Sequence, residues 1–132
     1  MLSKARLKSD APAQLAGISP RVDVERFRAD LSEAGVEDML DALLGTFAKD
    51  CPGRLAAVEQ AVQGGKANEI VSAAHAFKSG AGTVRATFLA EYLGRTETAA
   101  RTGDLESVSE LLEQIRSEYQ AVLGELSARP SQ

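Results

Sequence analysis

One imidazole is available to this chain, that of His75, and a lysine, Lys78, follows three residues later. A neutral imidazole keeps one nitrogen lone pair and is a nucleophile near neutral pH. On a helix, residues three apart are surface neighbours, so the Lys78 ammonium can reach a charged group formed on the ring without covering the ring itself. As a nearby cation it also disfavours imidazolium and keeps the lone pair available. A phosphoryl group on His75 would add negative charge that this lysine partly neutralises.

The residues around His75 decide whether a partner could reach it. If Ile70, Ala74, Phe77 and Ala81 form the inward stripe of a helix, His75 points roughly 140 degrees away from the centre of that stripe, into water. Ser79 and Gly82 then lie roughly 40 and 20 degrees from it in projection, and Ser72 shares the face. An exposed helical face ordinarily carries long charged side chains; here it carries residues too short to screen an imidazole. A docking surface with a central histidine is the functional reading.

Other chemistries lack their parts. Cys51 is the only cysteine and falls on an apolar stripe, which reads as a buried inert thiol and rules out an intrachain disulfide or a thiolate metal cluster. There is no second histidine for a metal pair, no H-E-x-x-H, no P-loop and no G-x-S-x-G. No stand-alone enzyme and no cofactor of the chain's own is expected. Net charge is −4 with a pI near 5.0 and dispersed basic residues, against nucleic acid as the main partner. No apolar run approaches the ~18 residues of a membrane span, and no secretory signal is encoded, so a cytoplasmic chain is expected.

The elements that must position His75 follow from composition and periodicity. Hydrophobic residues make up 44% of the chain but aromatics only 5%, so the core is built from Leu, Val and Ala, which points to packed helices. Val24, Phe27, Leu31 and Ala34 predict a short helix between Asp23 as N-cap and Gly35 as stop. Val36, Leu40, Leu43, Phe47, Cys51, Leu55, Val58 and Val62 predict one long helix to Gly64 and Gly65, kinked rather than broken at Pro52.

The helix of His75 begins near Ala67 or Asn68 and loosens at Gly80, Gly82 and Thr83. The next turns Phe88, Leu89, Tyr92, Leu93, Thr96 and Ala100 inward, with Thr83 a candidate cap, and ends at Gly103. Asp104 then caps a last helix along Leu105, Val108, Leu112, Ile115, Tyr119, Val122 and Leu126. No segment alternates as a strand would. Short connections make neighbouring helices antiparallel, so the expected fold is all-α: an up-down antiparallel four-helix bundle with an additional short N-terminal helix. Residues 1–19 read as a flexible tail or linker, 20–128 as the domain and 129–132 as a frayed end.

The segment AAHAFKSGAGTVRATFLAEYL resembles the motif of histidine-containing phosphotransfer (HPt) domains, a histidine followed by x-Leu-Lys-Gly-Ser, small residues, a Gly-Ala pair and a leucine. His75 matches the phosphorylated histidine, Lys78 the lysine beside it, Phe77 the apolar position, and Ala86 and Leu89 the later ones. Ser79 and Gly80 hold the Gly-Ser positions in swapped order. The similarity reaches FAKDCP at Phe47–Pro52, the Gly-Gly break and Gly103-Asp104, and covers about residues 20 to 127. Arg85 departs from it, standing where the family usually has glycine, which would alter the turn and put a second cation near the site. A histidine-kinase dimerisation domain fits less well, because Ala76 holds the place of its usual acidic residue.

The resemblance implies a phosphocarrier of a His-Asp phosphorelay without kinase activity of its own. A receiver-domain aspartate would pass a phosphoryl group to Nε2 of His75, which would pass it to another receiver. Ser79, Gly80, Gly82 and Arg85 would form the docking face, and Mg²⁺ is expected on the partner receiver. The chain is expected to be a monomer, either free-standing or the terminal module of a hybrid sensor kinase. The alternative is a helical adaptor of the same fold that binds a signalling partner without transferring phosphate.

Overall fold

The computed structural model describes residues 20–129, and every regular element among them is helical. In chain order these are α1 (Val24–Glu33), a single 3-10 turn (Glu37–Met39), α2 (Leu40–Gly64), α3 (Ala67–Thr83), α4 (Thr87–Arg101) and α5 (Leu105–Ala128). The four long helices pack in a closed ring, α2 on α3, α3 on α4, α4 on α5 and α5 on α2, with the α3–α4 pair in the most extensive contact. The tail expected over residues 1–19, and residues 130–132, lie outside the described residues. Arg129, expected to fray, reaches Asp41 at 2.9 Å.

Helix boundaries follow local chemistry. The Asp23 carboxylate accepts the Arg26 amide at the start of α1, and Asp104 accepts the Ser107 amide and hydroxyl at the start of α5. Gly35, Gly65 and Gly103 follow the helix ends with φ between +74° and +79°. α2 runs through Pro52, whose ring lies on the exposed side. Thr83 does not cap α4. Its hydroxyl donates to the Ser79 carbonyl at 2.9 Å within α3, and the N-cap of α4 is Ala86, which offers no side-chain cap.

Inside the ring the expected stripes meet. Ile70, Ala74, Phe77 and Ala81 of α3 are buried, as are Leu89, Leu93 and Ala100 of α4 and Val108, Ile115 and Val122 of α5. Other expected stripe positions are less covered: Ala34, just past the end of α1, is exposed, and Leu55, Val62, Phe88 and Leu126 are partly buried against the core. Leu105 is exposed because it is the first residue of α5, at the rim of the bundle, and along the start of α2 the buried side chain is Leu44 while Leu43 is only partly covered. The 3-10 turn explains the shift at the start of α2: Val36 is its N-cap, so the α2 stripe starts at Leu40 rather than continuing from Val36.

The short α1 is fastened to the bundle by polar groups as well as by Phe27 and Leu31. Glu125 of α5 accepts the amides of Arg21 and Val22 at 2.8 and 3.1 Å, and the Arg21 guanidinium donates to buried Glu118 at 2.9 Å. On the other side the Asp23 amide donates to the Arg85 carbonyl, and the Arg85 guanidinium grips Asp30 through two bonds of 2.8 and 3.0 Å.

Candidate functional site

α3 carries His75 because its opposite face is apolar and small enough to pack closely. With Ala74 and Ala81 in the core, α3 lies near α4, and the imidazole, 62% exposed, sits on the rim of the groove between them. Ser72, Ser79 and Gly82 are exposed alongside, so the small-residue face expected from the helical projection is present.

The groove supplies a residue that the sequence reading did not single out. Glu97, on α4, is 5% exposed, and its two oxygens are divided between two partners on α3: Oε2 lies 2.7 Å from Nδ1 of His75, and Oε1 accepts from Nζ of Lys78 at 2.6 Å. Burial pushes the Glu97 carboxyl up, but the hydrogen bonds from Lys78 and His75 outweigh it and hold the group below the usual carboxylate range. An ionised carboxylate can only accept, so the proton on the ring belongs to Nδ1. In the neutral ring the lone pair is then on Nε2. The geometry thus leaves Nε2 as the ring nitrogen with an available lone pair, and it rests the Lys78 ammonium on the same carboxylate that holds Nδ1.

Glu97 left one trace in the sequence. It directly follows Thr96 of the inward stripe, so it stands at the edge of the buried face, where a carboxylate needs partners. Which partners depends on how α3 and α4 are placed against each other.

The other expected site residues are distributed differently. Ser79 and Gly82 share the outer face with His75. Gly80 turns toward α2, where a side chain at that position would meet the Phe47 ring at 3.8 Å. Arg85 has φ +66°, the left-handed conformation that favours glycine. The Ala86 amide bonds the Ala81 carbonyl and the Arg85 amide the Gly82 carbonyl, the same closing pattern made at Gly35 and Gly103. The turn after the histidine helix therefore keeps the glycine geometry with an arginine in it, and the arginine's charge is spent on Asp30 of α1.

The Hpt domain family profile matches residues 42–125 of the chain. Among solved structures, the crystal structure of histidine-containing phosphotransfer protein B (HptB) from Pseudomonas aeruginosa PAO1 is similar, with a TM-score of 0.74 and 35% sequence identity, covering 83% of this chain and 93% of that one. No curated protein sequence matches the chain.

Proposed function

The chain belongs to the Hpt domain family, whose role is histidine phosphotransfer in a phosphorelay, and on that premise we propose that His75 is the residue that carries the phosphoryl group. The observation that supports this most directly is the hydrogen bond from Nδ1 to buried Glu97 beneath an otherwise exposed ring. Nε2, with the lone pair, attacks the phosphorus of a receiver's aspartyl phosphate. The N–P bond forms, the P–O bond to the aspartate breaks, and the aspartate leaves as a carboxylate. The ring gains positive character that Glu97 stabilises through Nδ1–H, and Lys78 can turn from Glu97 toward the phosphoryl oxygens. A second receiver's aspartate reverses these steps.

The chain's own contribution is thus a correctly protonated, accessible nucleophile, with Mg²⁺ and most catalytic groups on the receiver. Ser79 and Gly82 form the centre of the docking face. Gly80 faces the Phe47 ring of α2 beneath it, and Arg85 sets the α3–α4 turn at its edge. The ring of helix contacts is read as the up-down antiparallel bundle of the family, acting as a monomer in the cytoplasm, free-standing or at the end of a hybrid sensor kinase. No described helix is long and apolar enough to cross a membrane.

Incubation with a phosphorylated receiver tests the proposal. Label should appear on the chain and be absent from His75→Gln. Absence of label with several receivers would overturn it in favour of the adaptor reading.

A further inference from the structure

Lys78 must cross from α3 to a carboxylate that is almost fully buried on α4, and its route is visible. A Cβ built at Gly94 would lie 3.6 Å from Cδ of Lys78, while Nζ reaches Glu97 Oε1 at 2.6 Å. Gly94 stands three residues before Glu97, on the same side of α4, so the aliphatic stem of the lysine passes over the bare backbone of one turn to set its ammonium on the next.

Glycine in the interior of a helix is unfavourable for helix formation, and nothing in the φ of Gly94 requires it. What the position provides is room. A methyl would make ordinary contact with the stem, whereas a longer side chain would occupy the space through which the stem runs. The ammonium would then leave Oε1, and the buried carboxylate would lose one of its two partners.

We propose that Gly94 is a positioning residue of the phosphotransfer site, the element of α4 that lets Lys78 lie across the groove and share Glu97 with His75. This rests on the phosphotransfer reading for its consequence but not for its geometry. It acts through Lys78 and touches neither phosphate nor partner. Enlarging the residue withdraws the cation both from the carboxylate that orients His75 and from the place where the phosphoryl charge forms.

Two readouts separate the geometry from its consequence. One is the ¹⁵N–¹H resonance of the Lys78 ammonium held on Glu97, assigned by its loss in Lys78→Gln; the other is the rate of label transfer from a phosphorylated receiver. Gly94→Val should abolish the held resonance and slow transfer at least tenfold with helicity retained. Gly94→Met, which lacks β-branching, should do the same if valine disturbs α4. Gly94→Ala should keep the resonance and remain within about threefold of the parent rate.

If the enlarged variants keep the resonance, the inference is overturned whether or not transfer slows, because slowing would then come from direct contact with the partner. If the unmodified chain accepts no label, the phosphotransfer reading fails, and the resonance alone decides Gly94: its loss in the enlarged variants supports the positioning role, and its survival refutes it.

Discussion

At the residue scale the proposed chemistry rests on three side chains in mutual contact, His75, Lys78 and Glu97, of which only the carboxylate is buried. Glu97→Gln keeps the shape but removes the acceptor-only group that fixes the ring tautomer. Transfer to His75 should fall by roughly 10- to 100-fold, by analogy with the loss when the carboxylate partner of a metal-bound histidine is removed, as followed by initial rates of labelling. The same carboxyl lies lower in the folded chain than in the unfolded one, so its stabilising contribution is present above the unfolded carboxylate range and lost as pH falls through the folded value. Glu118 has the opposite sign. Burial pushes it up, only partly countered by Arg21, and one of its oxygens has no hydrogen-bond partner. Its contribution is therefore full at low pH and is lost as pH rises through the folded value. Thermal unfolding as a function of pH should show a weaker acid-side loss for Glu97→Gln and a weaker loss toward neutral pH for Glu118→Gln; identical profiles for both variants and the parent would contradict these assignments.

At the element scale the helices are positioned by a few local decisions that can be tested singly. The end of α3 closes on a left-handed residue that is not glycine, and it persists because Arg85 also holds Asp30 of α1. The two effects can be separated in an Asp30→Ala background, where the ion pair is already gone. There Arg85→Gly should stabilise by about 1 kcal/mol, the usual penalty of a side chain in left-handed backbone, measured by denaturant unfolding. A destabilisation would show that Arg85 has a further partner. Phe77 stands two residues beyond His75 on the opposite, fully buried face of α3. Phe77→Ala should lower stability by about 3–5 kcal/mol through lost burial and the cavity left behind. The segments over 24–33, 67–83 and 105–128 were legible because apolar spacing runs through each of them, reinforced by the caps Asp23 and Asp104 at the start of the first and last and by Gly35 after the end of the first. The start of α2 was less so, because a 3-10 turn follows Val36 and the stripe cannot run through it.

At the scale of the whole molecule the fold turns one face of α3 outward and keeps that face short-chained. Ser79→Arg or Gly82→Glu adds bulk or charge there without entering the core, since nothing lies within 4 Å of a side chain built at Gly82. Either variant should block label transfer while leaving the circular dichroism spectrum nearly unchanged; unimpaired transfer would place the docking face elsewhere. Much of this was determined by the sequence alone. The all-helical class, the inward stripe of Ile70, Ala74, Phe77 and Ala81, and the outward His75 are consequences of a 100-degree step along one helix, and a one-dimensional pattern carries that information. The ion-pair arrangement was not so determined. Glu97 lies 22 positions from His75, and Gly94 lies 16 from Lys78. Whether such residues meet depends on the axial register and rotation of α3 against α4, which the packing of the whole ring sets. For the same reason Gly80, equally small, faces a neighbouring helix rather than the open face, and the cation expected near the site at Arg85 is bound to α1. Periodicity gives the direction of a side chain from its own helix; only tertiary packing decides what stands there to meet it.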